Sequence, residues 1–166
     1  HAGLEEDDDR WLYLPALSLV KRIAAGDKRT SFVGSDFLYE DVSGRGIEAD
    51  THELVETTET FYVVKNTPKK PDMVEFSYYN VSIDRKTFVP MKMEYYDKEG
   101  ELYRTIESKK VETIEDFPTV TKSLVRDLKD GSKTQMEFTN VKYNIGLSEN
   151  IFTERYLRRP PREAMR

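Results

Sequence analysis

The side chains that most often carry enzymatic chemistry are scarce in this chain. It has two histidines, His1 and His52, and no cysteine, which removes disulfides, thiolate zinc sites and cysteine nucleophiles together. His52 stands alone in a polar segment, where a surface role is far more common than that of a catalytic base. The sequence contains no HExxH pair, no GxSxG elbow and no glycine-rich phosphate loop. We therefore predict a protein that is not an enzyme, with no metal site, no catalytic residue and no cofactor.

Carboxylates are plentiful, but their spacing indicates no site. Three close pairs fall in predicted turns: Glu40/Asp41, Asp97/Glu99 and Glu115/Asp116. In a chain with 31 acidic residues such pairs are expected without function, so glycosidase chemistry does not follow from them. The acidic block at residues 1–9 lacks the spaced oxygen ligands and the glycine turn of a calcium loop.

The charge balance argues against nucleic acid as a partner. The net charge is −5, so no basic field covers the whole protein. A local exception is the patch of Arg158, Arg159 and Arg162 with Tyr156 near the end of the chain. One terminal patch on an acidic chain is more often a solvated face, or a tail that docks on its own sheet. No segment approaches the roughly 20 apolar residues of a membrane-spanning helix.

Alternation of apolar and polar residues predicts an antiparallel meander of six or more strands from Met73 onward. The segment DKEG and the pair Asp130-Gly131 mark turns, the second being the strongest hairpin signal in the chain. Upstream, residues 54–66 indicate one extended segment, which the prolines of TPKKPD end. The predicted fold class is mostly β (α+β), with a curved antiparallel sheet, a barrel or a sandwich.

One face of the predicted sheet collects methionine and aromatic side chains: Val74, Phe76, Tyr78, Val89, Met91, Met93, Tyr95, Met136 and Phe138. This face is either an ordinary core or a groove for a flexible apolar ligand, and the residues leave both interpretations open. Methionine is unbranched and adaptable, and so it suits surfaces that accept variable shapes. Short helices would leave much of a long sheet uncovered, which favours a hydrophobic cavity that an acyl chain fills. An arginine in place of Met91 or Met93 should then weaken binding more than Lys92→Ala does.

The most apolar part of the chain, residues 9–42, precedes this meander. WLYLP and ALSLVKRI indicate two short strands separated by Pro15, since proline disfavours helix in the residue before it. In FVGSDFLYEDV, a cap at Ser35 or Asp36 predicts a short helical turn. That turn would direct Phe37, Leu38 and Tyr39 at whatever the strands bury. Phe37 and Leu38, together with Trp11 and Tyr13 of the first strand, are further candidates for the cavity lining. Residues 35–42 and 147–157 are candidate lids.

Several blocks together resemble the LolA/LolB-like outer-membrane lipoprotein-sorting proteins, and most closely an uncharacterised bacterial branch of them. The blocks are WLYLPALSLVKRI, GSDFLYEDV, EYYDKEGELYR within the meander, and the closing NIFTERYL. The resemblance covers residues 9–159. It implies a half-open β-barrel with short lid helices, a hydrophobic cavity and a periplasmic location. Lipid or lipoprotein acyl chains are the implied partners, with an inner-membrane transporter or an outer-membrane acceptor as further candidates.

From these observations we predict a flexible acidic terminus or tag remnant at residues 1–8, one domain at 9–159 and a tail at 160–166. Members of the resembled family have further strands and a helix before the tryptophan block. We expect these to be missing from this chain, and we expect an exported protein whose signal peptide is not part of the chain. The favoured function is a carrier of lipoprotein acyl chains or another lipid-like ligand. The alternative is a non-enzymatic adaptor of an envelope export system that acts through protein–protein contacts.

Overall fold

The computed structural model describes residues 10–162, which divide into two compact units. The smaller unit comprises residues 10–28 and 142–162, and the larger one residues 29–141. The terminus predicted at 1–8 and the last part of the predicted tail lie outside the described residues, and the single domain at 9–159 stays a prediction. In chain order the strands and helices are β1 Arg10–Leu14, β2 Leu19–Ile23, α1 Tyr39–Ser43, β3 Asp50–Thr57, β4 Phe61–Pro68, β5 Phe76–Asp84, β6 Pro90–Asp97, β7 Leu102–Ile114, β8 Phe117–Asp127, β9 Lys133–Glu137 and α2 Glu154–Arg158.

The smaller unit is built on an antiparallel hairpin. Strands β1 and β2 pair in register from Arg10 opposite Ile23 to Leu14 opposite Leu19, so both predicted strands are confirmed. Helix α2 packs against this hairpin, where the Arg158 guanidinium donates a hydrogen bond of 2.7 Å to the Ser18 carbonyl oxygen. Part of the basic patch is therefore a contact of the chain with its own hairpin.

The larger unit is a meander. Among residues 29–141, strands β3 to β9 form one antiparallel sheet in which each strand pairs with its neighbour in sequence. The sheet is curved and open, because β3 and β9, at its two edges, do not pair with each other. The predicted fold class, mostly β with an antiparallel meander, is confirmed.

One predicted segment contains a turn that its sequence pattern did not predict. Residues 54–66 are not a single extended run: β3 ends at Thr57 and β4 begins at Phe61. The Thr58 hydroxyl oxygen accepts hydrogen bonds from the backbone N–H groups of Thr60 and Phe61, at 3.2 and 2.8 Å. A threonine hydroxyl can stabilise a turn in this way, but threonine also favours strands, and the local pattern predicted only the strand.

Aspartates open three of the later hairpin turns. The Asp84 carboxylate accepts hydrogen bonds from the N–H groups of Lys86 and Thr87, at 3.0 and 2.8 Å. Asp97 and Asp127 accept backbone N–H groups at the next turns in the same way. These are Asx-type turns, in which the side chain supplies the acceptor that the turning backbone lacks.

The predicted turns at DKEG and Asp130-Gly131 are confirmed. Gly100 and Gly131 adopt φ of 85° and 80°, the left-handed region that glycine enters without steric cost. Gly131, and not Asp130, adopts the positive φ within its pair. The turn between β7 and β8 instead places Glu115 and Asp116 at φ of 48° and 68°.

Two irregularities of pairing decide which side chains share the inner face of the sheet. The register between β5 and β6 shifts between Phe76 and Tyr78, so Tyr79 rather than Tyr78 joins Phe76 in the core. The predicted face is therefore wrong for Tyr78, whose ring stacks on Tyr96 at 4.6 Å between centroids. A second shift pairs Ile83 with Pro90 and leaves Met91 in a bulge. Strict alternation along the sequence cannot anticipate an inserted residue.

The core of the larger unit lies at one end of this inner face. It consists of Val74, Phe76, Tyr79, Val81, Tyr95 and Tyr103. The Phe76 ring is fully buried and meets Tyr79 and Tyr95 edge-on at 5.5 and 5.4 Å between centroids. Edge-to-face pairs of this kind add about 0.5–1.5 kcal/mol each to the burial of their area.

Helix α1 begins later than predicted. Leu38 is its N-cap residue, and the Asp41 carboxylate accepts the Leu38 N–H at 2.7 Å. Neither Ser35 nor Asp36 caps it. Both Glu40 and Asp41, which were predicted to lie in a turn, are in this helix.

Candidate functional site: a cavity on the inner face of the sheet

A cavity of about 400 Å³ lies between the inner face of the sheet and the α1 segment, by which we mean residues 29–45, including helix α1. The α1 segment contributes Arg29, Phe37, Glu40, Asp41, Val42, Gly44 and Arg45, and the sheet and its borders contribute Tyr79, Val81, Pro90, Lys92, Met93, Tyr95, Ile106, Ser108, Val120, Ser123, Met136 and Phe138. This volume is within the range of small-molecule sites. The cavity therefore belongs to the larger unit alone.

The middle of the cavity floor is apolar. Val81, Met93 and Ile106 are direct cross-strand partners on β5, β6 and β7, so their side chains form one row across the sheet. Phe37, only 4% exposed, lies above them on the α1 segment. Such a surface favours hydrocarbon over water, at about 25 cal/mol for each Å² removed from solvent.

The α1 segment is tied to the sheet by buried polar contacts. The Arg104 guanidinium on β7 forms an ion pair with the Asp41 carboxylate, and both side chains are 4% exposed. Arg104 also donates 2.9 Å to the Asp36 carbonyl oxygen. The Asp36 carboxylate in turn accepts hydrogen bonds from the hydroxyls of Ser132 and of Thr134, the latter at 2.6 Å.

A second group of charges closes the end of the cavity beside Phe76. The Glu40 carboxylate pairs with Arg29 at 2.9 Å and with Arg45 at 3.1 Å. Arg45 also pairs with Asp50 at 2.7 Å. Both guanidinium groups lie over the Phe76 ring, at 5.0 and 5.3 Å from its centroid.

This charge cluster extends to the sheet through two tyrosines. The Tyr79 hydroxyl donates 2.9 Å to Asp50, and the Tyr103 hydroxyl donates 2.9 Å to Glu75, which also accepts from Arg29. Every guanidinium of the cluster thus has a carboxylate partner. We name the set of Arg29, Glu40, Asp41, Arg45, Asp50, Glu75 and Arg104 the ion cluster.

Burial and the charges of the ion cluster shift the pKa values of Tyr79, Tyr95 and Glu75. Burial raises the pKa of Tyr95 to about 12, and the nearby Asp41 carboxylate adds to this shift. Burial likewise raises the pKa of Tyr79, with Asp50 beside it. For Glu75, burial favours the neutral acid, but the hydrogen bond and charge of Arg29 lower the pKa below its usual value. At neutral pH Glu75 is therefore charged, and Tyr79 and Tyr95 are protonated.

Five of the predicted lining residues do line this cavity: Phe37, Met93, Tyr95, Met136 and Phe138. Val74 and Phe76 are core residues, and Val89 is buried beside the β5–β6 turn. Leu38 caps α1, Tyr78 is on the opposite face and Met91 is in a bulge, so these three do not contribute.

Trp11 and Tyr13 belong to the smaller unit. There Trp11 lines a separate cavity of about 350 Å³ with Ile151, Phe152, Thr153, Tyr156, Leu157, Pro160 and Pro161. Tyr13 contacts the Arg158 guanidinium at 5.7 Å from the ring centroid. The role of residues 147–157 as a lid stays a prediction.

No sequence pattern predicted the ion cluster. Its members are spread from Arg29 to Arg104, and charged residues are so frequent in this chain that none of them is conspicuous. One signal was present: the block SDFLYED puts two acidic residues directly after a run of large apolar ones. Acidic side chains within an apolar block are candidates for buried ion pairs, since they seldom lie in a core unpaired.

The structure shows neither a metal centre nor a spanning helix in the described part of the chain. Among residues 10–162, no three acidic, histidine or cysteine side chains are placed to hold a metal ion. No helix in the same range has the length and apolar character needed to cross a membrane.

Comparison with known proteins identifies the family of this chain. A family profile described as an uncharacterized protein matches residues 1–159. A crystal structure of a DUF1329 family protein from Desulfovibrio piger is 33% identical, with a TM-score of 0.82, and the match covers 95% of this chain and 68% of that one. A search of the curated proteins found no match.

Two further crystal structures share the fold. One is a domain from Vibrio parahaemolyticus provisionally described as an outer membrane lipoprotein-sorting protein domain, with 30% identity, a TM-score of 0.82 and coverage of 96% of this chain and 69% of that one. The other is a LolA superfamily protein from Nitrosomonas europaea, with 22% identity, a TM-score of 0.65 and coverage of 90% and 68%.

The open curved sheet with a cavity on its inner face is therefore a LolA-like fold, as the sequence resemblance predicted. Within that class, this chain belongs to the DUF1329 family.

Proposed function

We propose that this protein is a periplasmic carrier or binding protein for a lipid-like ligand, which it holds in the cavity between the α1 segment and the sheet. The observation that carries the proposal is the apolar cavity of about 400 Å³. An inner face that was simply a core would be filled by its own side chains. The description of the Vibrio structure in terms of lipoprotein sorting supports an acyl chain as the ligand.

The transfer energetics are those of a passive exchange. Burial of one CH₂ group is worth about 0.8 kcal/mol, so an acyl chain leaves a bilayer only for a comparably apolar site. The row of Val81, Met93 and Ile106 offers such a surface. Since the charges at the closed end are paired with one another, they do not require water inside the cavity.

Titration with a fluorescent fatty-acid probe tests the proposal, with native mass spectrometry of protein purified from a membrane-containing lysate as a second readout. We expect the wild type to bind the probe and to retain lipid. Met136→Glu should weaken probe binding at least tenfold, because it places a charge on the cavity floor. Gln135→Glu is the matched control, since Gln135 is the exposed neighbour on the same strand.

The bulge at Met91 sharpens this test. Met93 lines the cavity and Met91 does not, so Met93→Arg should weaken binding and Met91→Arg should not. This replaces the expectation that an arginine at either methionine weakens binding more than Lys92→Ala does. A wild-type protein that neither retains lipid nor binds any acylated probe contradicts the proposal, and equal losses in Met136→Glu and Gln135→Glu contradict the assignment of the site.

A further inference from the structure

The cavity floor contains a pair of hydroxyl groups in otherwise apolar surroundings. Ser108 on β7 and Ser123 on β8 are direct cross-strand partners, and both line the cavity. Side chains paired in this way stand roughly 5 Å apart at Cβ. The next residue across the sheet is Met136, which pairs with Ser123. The two serines thus form a short polar strip on the cavity floor, between the row of Val81, Met93 and Ile106 and the side chain of Phe138.

The two hydroxyls differ in their partners. The Ser108 hydroxyl donates a hydrogen bond of 2.7 Å to the Pro90 carbonyl oxygen. The Ser123 hydroxyl makes no hydrogen bond to any residue that the structure describes. Ser123 is part-buried, so its hydroxyl is open to the cavity. A ligand that covers this hydroxyl with apolar groups alone loses about 1–3 kcal/mol, whereas a ligand oxygen within reach of it avoids that cost.

The charges that line the cavity are already compensated, which restricts the ligand. Arg29 and Arg45 pair with carboxylates of the ion cluster. The Lys92 ammonium group pairs with Glu94 at 2.6 Å. A buried carboxylate on the ligand would therefore lack a counter-ion, and a neutral oxygen acceptor fits the site better.

The size of the cavity restricts the ligand further. A volume of about 400 Å³ is near the lower end of the range for ligand sites, roughly 300–1,000 Å³. The floor runs along β6 from Pro90 to Tyr95, a distance of about 16 Å at the usual rise of a strand. One extended chain matches these dimensions.

We propose that the ligand is a single-chain acyl ester whose carbonyl oxygen accepts a hydrogen bond from the Ser123 hydroxyl. The acyl chain lies over Val81, Met93 and Ile106 towards the closed end. The alcohol portion of the ester leaves the cavity beside Phe138, whose side chain is 48% exposed. This inference rests on the proposed carrier function and names the class of ligand for the same cavity.

Two neutral probes that differ in one carbonyl group test the proposal: monododecanoylglycerol, an ester, and monododecylglycerol, the corresponding ether. Their affinities are measured by displacement of the fluorescent fatty-acid probe. We expect the wild type to prefer the ester by about three- to tenfold, the range of one net hydrogen bond. Ser123→Ala should remove that preference and leave ether binding unchanged.

Ser82→Ala is the matched control. Ser82 is on β5 between Val81 and Ile83 and so faces away from the cavity. This variant should keep the ester preference. Equal affinity of the wild type for ester and ether, or an ester preference that survives in Ser123→Ala, overturns the inference and leaves the carrier function standing. Failure of both probes and of the fatty acid to bind overturns the carrier function itself.

Discussion

The two ends of the cavity differ in the chemistry of the side chains that form them. The closed end consists of ion pairs and tyrosines, where Arg104 and Asp41 are each only 4% exposed. The opposite end consists of Met136 on the short edge strand β9 and of Phe138, which is half-exposed. Removal of one partner from a buried ion pair costs several kcal/mol, whereas separation of apolar side chains at an exposed edge costs much less. From this comparison we propose that the α1 segment is a fixed wall, and that a ligand enters and leaves at the β9 end.

This view changes the role predicted for residues 35–42. They were expected to act as a lid, whereas the contacts of Asp36 and Asp41 hold them to the sheet. The Asp36 N–H donates 3.0 Å to the Thr134 hydroxyl, so the wall also contacts β9. We propose that the segment positions Phe37 above the cavity floor and that it stays in place when a ligand enters.

The largest expected effect comes from breaking the closed end. Arg104→Met leaves the buried Asp41 carboxylate without its cationic partner, which should lower the free energy of unfolding by about 3–5 kcal/mol. Urea unfolding followed by tyrosine fluorescence and by the β-sheet signal in circular dichroism measures it, since the only tryptophan, Trp11, is in the smaller unit. Arg126→Met is the control, since the exposed pair of Arg126 with Glu107 at 3.7 Å should contribute at most about 1 kcal/mol. Similar losses in both variants would show that the wall does not depend on its ion pair.

An intermediate effect should appear at alkaline pH. The pKa of Tyr95 is raised to about 12 in the folded protein, against an ordinary value of 10.0. The folded state therefore favours the protonated phenol, and this contribution, about 2–3 kcal/mol, is complete below pH 10 and lost progressively between pH 10 and 12. Tyrosinate absorbance during a pH titration, compared with the same titration of Tyr95→Phe, measures it. If the phenol of Tyr95 ionises with the exposed tyrosines near pH 10, the closed end is accessible to water.

The smallest effect on stability is expected at the β9 end. Phe138→Ala should cost no more than about 1 kcal/mol, because about half of the side chain is already exposed. The same change should weaken binding of the fluorescent fatty-acid probe severalfold. Phe117→Ala, a change of similar exposure outside the cavity, should leave binding unaltered. Should the two variants bind the probe equally, the ligand does not exchange beside Phe138.

Local patterns were sufficient for most of the strands and turns, although they joined the end of β3 and the start of β4 into one segment. The β1–β2 hairpin, the later meander and the glycine turn at Gly131 all follow from alternation and turn chemistry between neighbours in sequence. The patterns failed where one residue changes the register. One bulge exchanges Tyr78 for Tyr79 on the inner face and a second one displaces Met91, and no local preference marks either position.

The candidate site was partly predictable for the same reason. Met93, Tyr95, Met136 and Phe138 were found because alternate residues of a strand share a face. Ser123 was not found, because a strand serine is unremarkable until its surroundings are known.

The amino-acid sequence alone determined an acidic, cysteine-free, β-rich chain with an apolar inner face and a likeness to the lipoprotein-sorting fold. Composition and period-two alternation are local properties, and so they can be determined without knowledge of the tertiary contacts. The tertiary structure alone decided that the inner face is a cavity, and that three arginines and four carboxylates close one end of it. Some of those partners, such as Asp41 and Arg104 or Arg29 and Glu75, are far apart along the chain, and only folding brings their charges into pairs.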